Sequence, residues 1–272
     1  MNYKILFPLL FLVFCMVYLV YQVTTVGLNL DIDLKGGTQI LAESSKPLDE
    51  KELENVLKEY DASVRSAKGV KAYSIFIEFD ASINPENVIE TLEKNGYKFE
   101  DYSVQTIGPA LGSAFLQQAV FVLVIAFIFM AVTVFIIFKI PLPSFYLILT
   151  SFSDIIETLV ITQILGIKLS LATFASLLLL VGYSVDDNIL LTTRVLKKAG
   201  GDIETEIKNT RKTGFTMMGA TIVALFALFI ISTSVVITQI ASVLLIGLLI
   251  DLVNSWVLNT NLLRWYVKRK IK

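Results

Sequence analysis

The chain has 272 residues, of which 55% are hydrophobic and 17% charged, whereas soluble domains carry about 25% charged residues. That balance excludes an ordinary soluble domain, and the formal net charge of −1 decides nothing because the charges are unevenly placed. With no histidine and a single cysteine, the sequence also excludes imidazole metal sites, Ser-His-Asp triads, an internal disulfide and cysteine-built metal centres.

Lys4 precedes an apolar run from Ile5 to Tyr21, as in a secretory signal, but no small-x-small cleavage pattern follows. The run is long enough to span a bilayer, so residues 1–26 read as a retained signal anchor and first transmembrane helix. Cys15 within it reads as a small core residue.

Residues 27–112 read as a folded domain. Leu30 to Ser44 predicts a strand, Pro47 to Tyr60 a helix opened by proline and acidic residues, and Ser63 to Ala67 and Ala72 to Phe79 two strands separated by the turn Lys68–Lys71. Asn84 to Asn95 predicts a helix stopped by Gly96, with Val88, Ile89 and Leu92 at helical spacing, and Tyr97 to Ile107 a last strand. The order β-α-β-β-α-β is the ferredoxin-like arrangement. This segment carries more acidic than basic residues, so nucleic acid is not expected as a partner.

Residues 113–272 hold five more apolar stretches: Phe115 to Phe138, Ser144 to Leu165, Leu169 to Leu191, Phe215 to Ile231 (starting a turn earlier, near Thr213) and Val236 to Trp256. Basic residues set the orientation. Lys4, Lys139, the cluster Arg194, Lys197, Lys198, Lys208, Arg211 and Lys212 in a 192–212 loop, and the tail Arg264, Lys268, Arg269, Lys270 and Lys272 all fall on one side. Both termini are therefore expected in the cytoplasm, and the 27–112 domain outside it. The predicted fold class is an integral membrane α-helical protein with six transmembrane helices plus one small extracytoplasmic α+β ferredoxin-like domain.

Five carboxylates fall inside predicted spans, where each charge costs about 2.5–3.5 kcal/mol and marks a pathway or relay. Asp154 and Glu157 stand at i and i+3 on one face of the third span, with Thr150 a turn earlier. Asp186 and Asp187 lie in the fourth. Asp251 lies in the sixth, sharing a broad face with Asn254 and Asn261, while Asn259 points elsewhere on a regular helix. No lysine or arginine is available at mid-membrane depth; Arg194 and Arg211 at cytoplasmic helix ends come nearest. A carboxyl that can take up and release a proton there is what a proton relay needs. The same residues equally serve as polar packing between helices, and Asp186-Asp187 as a helix end near the interface.

Two glycine motifs remain. Asp33-Leu34-Lys35-Gly36-Gly37-Thr38 precedes the first strand and reads as a bulge or tight bend; it lacks the spacing of a phosphate loop. Gly108-Pro109-Ala110-Leu111-Gly112 reads as a hinge or connector between the domain and the second span.

These features together resemble the SecD/SecF family of membrane subunits of the Sec export machinery. Asp33 to Thr38 is similar to the family's D-[LF]-x-G-G motif after its first helix. Val181 to Arg194, which includes Gly182, Tyr183, Ser184 and Asp187, is similar to its fourth-helix motif G-Y-S-[IL]-N-D-[TS]-V-V-V-x-x-R. Gly108 to Gly112 is similar to G-P-x-[IVL]-G. Gly-Tyr-Ser and the small domain are nearer the SecF side. The chain departs in having DLKGG where DFxGG is common, and Asp186 where asparagine is usual.

The resemblance implies a fold related to resistance–nodulation–division transporters, a SecD partner, the Sec protein-conducting channel, and a proton gradient that assists translocation of unfolded secretory polypeptide. By position it makes Asp187 the candidate proton carrier, with Arg211 near it. Asp186, Asp154, Glu157 and Asp251 rest on the residues alone. The expected place is the plasma membrane, in contact with lipid, with no cofactor and no enzymatic step. The alternatives are half of a proton-coupled small-molecule or lipid exporter, and a membrane-tethered assembly factor whose carboxylates only pack.

Overall fold

The computed structural model describes residues 3–44, 48–68, 73–97, 99, 102–197, 202–232 and 234–270. Helix α1 spans Tyr3–Tyr21 and runs into a π-helical turn, Gln22–Val26. The α+β domain follows as α2 (Ile32–Lys35), β1 (Gly37–Ser44), α3 (Glu50–Val56), β2 (Ser63–Lys68), β3 (Tyr73–Phe79), α4 (Pro85–Lys94) and β4 (Tyr102–Ile107). The remaining helices are α5 (Pro109–Phe138), α6 (Pro141–Ile164), α7 (Leu171–Lys197), α8 (Ile203–Ile231), α9 (Val235–Val253) and α10 (Thr260–Lys270), with a π-helical turn at Asn254–Asn259 joining the last two. Among the described residues, six helical segments are long and apolar enough to cross a membrane, the sixth running continuously from Val235 to Arg269.

The sheet order is β2-β3-β1-β4, antiparallel throughout. Two helices between the strands complete the ferredoxin-like domain. Ile40, Val64, Ile75, Ile77 and Phe79 meet Leu53, Leu57, Val88 and Leu92 in its core. Alternation along each strand leaves the other sheet face, with Gln39, Leu41, Phe76 and Gln105, over a cleft of about 930 Å³ above the ends of α7, α8 and α9.

Several boundaries differ from expectation, each for a local reason. The strand predicted from Leu30 begins at Gly37, because the Asp31 carboxylate accepts the Ile32 amide and opens α2 instead. The helix predicted over 47–60 is the shorter α3 plus a 3-10 turn at Lys58–Tyr60; Pro47 and the turn at 69–71 lie outside the described residues. Tyr97 and Phe99 are outside the last strand, which is described over Tyr102–Ile107, while residues 98, 100 and 101 of the predicted stretch lie outside the described residues. What reads as a 192–212 loop is largely helix: α7 continues to Lys197, and the Asp202 carboxylate caps α8 through the Glu204 and Thr205 amides. Pro109 and Pro141 each sit in the first turn of a helix, where the missing N–H costs nothing.

Among the spans, α6 and α7 are the most enclosed and α5 and α8 the least. Close approach is built in by glycines. A Cβ on Gly247 in α9 would come within 2.5 Å of Leu180 in α7, and one on Gly214 in α8 would collide with the Trp256 ring.

Candidate functional site: a carboxyl cluster in the helix bundle

The enclosed faces of α6, α7 and α9 meet at a cluster of buried polar groups. Asp154 is fully buried and accepts two hydrogen bonds, from Ser184 Oγ at 2.6 Å and from Asn254 Nδ2 at 2.9 Å. The same Asn254 amide nitrogen is 2.9 Å from Glu157 Oε2, so one side chain bridges both carboxyls of α6. Ser151 Oγ lies 2.9 Å from Ser184 Oγ, extending the chain of hydroxyls. Asp251, also fully buried, accepts from Ser255 Oγ at 2.7 Å and lies close enough to Asp154 to interact with it directly. Glu157 Oε1 and Asp251 Oδ2 have no hydrogen-bond partner among the described residues.

The π-helical turn explains how the sixth span contributes. On a regular helix Asn259 would point about 140° away from Asn254. The extra residue per turn rotates it inward, and its Nδ2 donates to Asn188 Oδ1 at 2.5 Å. This corrects the expectation that Asn259 points elsewhere. Asn261, expected on the shared face, instead donates back to the Val257 carbonyl of its own segment. Thr150 likewise bonds within α6, to the Tyr146 carbonyl.

The other predicted residues divide cleanly. Asp187 is buried beside the cluster, with Asp251 and Asp186 as its charged neighbours. Asp186, one residue earlier, is exposed together with Gly182 and Tyr183 on an outer face of α7. Arg211 is exposed on α8 and forms no ion pair among the described residues. Arg194, the other cation expected near these acids, reaches Thr213 Oγ1 at 3.5 Å. No buried carboxyl of the bundle has a cationic partner among the described residues. An unpaired buried carboxylate is expensive, so such a cluster is one whose charge has to change or be met by another chain.

A second constellation joins the bundle to the α+β domain, and the two glycine motifs form its hinge side. Gly36 (φ +83°) packs on the α5 N-terminus so closely that a Cβ would lie 2.6 Å from Pro109 Cα, and a Cβ on Gly112 would lie 2.5 Å from the Gly36 nitrogen. The motifs are thus two halves of one backbone-to-backbone contact. The Asp33 carboxylate of the first motif faces the Leu171 amide at the start of α7 and accepts from Gln105 Nε2 at 3.4 Å. Burial, then the charge of Asp31, push the Asp33 carboxyl above the usual range against those two bonds.

Sequence reasoning missed the core of this joint. Glu78, buried on β3, takes Lys168 Nζ at 2.6 Å, Arg65 Nη2 at 2.5 Å and Lys35 Nζ at 3.3 Å. Lys168 stands in the short connection between α6 and α7, and its side chain is only 8% exposed. Beside it the backbones pair, Asp31 N to Leu169 O at 2.7 Å and Leu169 N to Asn29 O at 2.8 Å. The one signal in the sequence was Lys168 itself, the lone basic residue in the short loops on its side of the bundle.

Fold and site together define a multi-pass membrane protein with an α+β domain docked on a bundle that encloses carboxyl groups. The profile of the family described as protein export membrane protein SecD/SecF, C-terminal, matches residues 87–269. The chain is 37% identical over 273 residues to the SecF protein-export membrane protein of Pyrococcus furiosus, covering 98% of this chain and 91% of that one. It is 39% identical over 255 residues to the SecF of Methanothermobacter thermautotrophicus, covering 89% and 85% respectively. The chain belongs to the SecD/SecF family of protein-export membrane proteins. In fold it is similar to the crystal structure of SecDF, a translocon-associated membrane protein from Thermus thermophilus, with a TM-score of 0.81 at 20% identity. That match covers 98% of this chain and 38% of the solved chain.

Proposed function

We propose that the chain is a SecF-type subunit that works with a SecD partner at the Sec channel, using a proton gradient to assist translocation of unfolded polypeptide. The observation that carries this reading is the buried cluster of Asp154, Glu157 and Asp251 with Asp187 beside it, spread over three helices and without a cation among the described residues. Protons taken up or released there change the charge enclosed by α6, α7 and α9. The α6–α7 connection is ion-paired to the domain through Lys168, so rearrangement of those helices is passed outward. No bond is made or broken, and no cofactor is called for. The exposed stripe of Leu179, Gly182, Tyr183 and Asp186 on α7 supports a partner subunit there, since a charged side chain left facing lipid is costly. Basic residues at the helix ends support cytoplasmic termini in the plasma membrane, with the domain on the far side.

The test is export of a secretory precursor into membrane vesicles, with and without a proton gradient, comparing wild type with Asp154→Asn and Asp187→Asn. Loss of the gradient-stimulated component in a variant that still assembles supports the reading and identifies the carrier. Unchanged export in both variants overturns it.

The cleft beneath the sheet favours a second reading, half of a proton-coupled exporter. Arg65 and Lys168 line its upper wall, while Phe229, Ile230, Val236 and Ile240 line the helix ends below. An amphipathic small molecule or lipid suits such a space. On that reading, liposomes holding this chain alone show substrate-dependent proton flux; on the first they do not.

A further inference from the structure

A separate crevice opens toward the lipid-facing surface between α1, α6 and α9. It has a volume of about 370 Å³ and is lined by Phe7 and Phe11 of α1, Leu249 and Val253 of α9, and by Glu157 and Asn254 at its inner end. Phe7, Leu249 and Val253 are exposed, so its mouth opens at the apolar outer surface of the bundle. Glu157 is only 2% exposed, and its Oε1 has no hydrogen-bond partner among the described residues while Oε2 is held by Asn254. An apolar channel with the Glu157 carboxyl at its inner end, one oxygen of which has no hydrogen-bond partner among the described residues, combines the two features of a small amphiphile site: a hydrophobic wall and an orienting polar group. A buried acceptor left without a donor is costly, and a ligand donor would satisfy it.

We propose that this crevice is a lateral port that admits a membrane-dissolved, single-chain amphiphile whose hydroxyl or amine head donates a hydrogen bond to Glu157. The apolar body lies between α1 and α9, and the head group meets the carboxyl well inside the bilayer. A phospholipid head group is excluded by depth. Glu157 stands seven residues before the end of α6 at Ile164, about 10 Å along the helix. The site stands whether or not the cluster relays protons, because it rests on the crevice and on the free oxygen alone.

The test is covalent labelling of the full-length chain in membranes with dicyclohexylcarbodiimide, a lipid-soluble reagent for carboxyl groups. The carboxyl proton passes to one carbodiimide nitrogen and the oxygen adds to the central carbon. An oxygen-to-nitrogen acyl shift then leaves a stable N-acylurea with no atom lost. Mass spectrometry is expected to find the adduct on Glu157, to lose it in Glu157→Gln, and to find it diminished by dodecanol or dodecylamine. Leu249→Trp, at an exposed position where a larger ring fills the mouth without disturbing the bundle, is expected to weaken labelling at Glu157. A water-soluble carbodiimide is expected to leave Glu157 unmodified. Absence of the adduct from mildly acidic to mildly alkaline pH overturns the proposal. So does equal labelling by the water-soluble reagent, or labelling indifferent to both amphiphiles and to Leu249→Trp.

Discussion

Lys168 Nζ lies 2.6 Å from Glu78 Oε2, and both side chains are buried. The pair ties the middle strand region of the α+β domain to the connection between α6 and α7, the two helices that carry Asp154, Glu157 and Asp187. Burial pushes the Glu78 carboxyl up, but the Lys168 bond and the charges of Lys168 and Arg65 outweigh it and hold Glu78 below the usual range. For Lys168 the balance is reversed: burial lowers it, and the Glu78 bond only partly restores it. Glu78 therefore stays ionised through its three cations, while Lys168 is held in place at the expense of its own hydration.

Removing Lys168 leaves Glu78 with Arg65 and Lys35, so the cost falls below that of an orphaned buried charge. Lys168→Met is expected to destabilise the domain–bundle joint by about 2–3 kcal/mol. Glu78→Gln, which strands three cations, is expected to cost at least as much. The double variant should cost less than the sum, by about 1–3 kcal/mol of coupling. Thermal unfolding of the four species in detergent measures this; strict additivity would mean that the pair carries no joint energy.

The acid side of the stability profile follows from the sign of the Glu78 shift. A folded-state value below the unfolded one contributes stability that is present above the unfolded value, about 4.3 for glutamate, and is lost as pH falls through the lower folded value. The Leu169 and Asp31 amides, bonded across the joint, should therefore keep their hydrogen-exchange protection at neutral and mildly acidic pH. They should lose it below the range where free glutamate titrates. In Glu78→Gln the acid step at these amides disappears.

The glycine contact makes a three-way prediction. A Cβ at Gly36 or Gly112 meets backbone atoms, which cannot rotate away, whereas nothing lies within 4 Å of a Cβ at Gly108. Gly36→Ala is also strained by its positive φ. Both substitutions are expected to cost about 1–3 kcal/mol through forced separation of α2 from α5, with Gly36→Ala the worse. Gly108→Ala is expected to be neutral within about 0.5 kcal/mol. Thermal stability of the three variants decides whether the motifs act as a contact or only as a flexible hinge.

The six spans and the β-α-β-β-α-β order were legible because they depend on local pattern: apolar runs of bilayer length, alternation in the strands, prolines at helix starts. Boundaries failed where a side chain captured a backbone group. Asp31 started a helix inside the predicted first strand, and Asp202 capped α8 well before its apolar run begins. The carboxylates Asp154, Glu157, Asp187 and Asp251 were legible as charges in apolar context, and Asp154 and Glu157 as partners by their i, i+3 spacing. Asp186 was grouped with Asp187 by adjacency, yet neighbours on a helix point about 100° apart, and only packing could tell which of the two faces inward.

The sequence by itself determined the membrane class, the inserted domain and the family motifs, because hydropathy and turn chemistry act over short stretches of chain. Only the tertiary structure decided that Asn254 bridges Asp154 and Glu157, that a π-helical turn swings Asn259 onto Asn188, that the two glycine motifs are one contact, and that Glu78 meets Lys168. Each of these joins residues from separate elements, in most cases far apart in the chain. Their encounter is fixed by how helices and sheet pack, and a linear pattern carries no record of that distance.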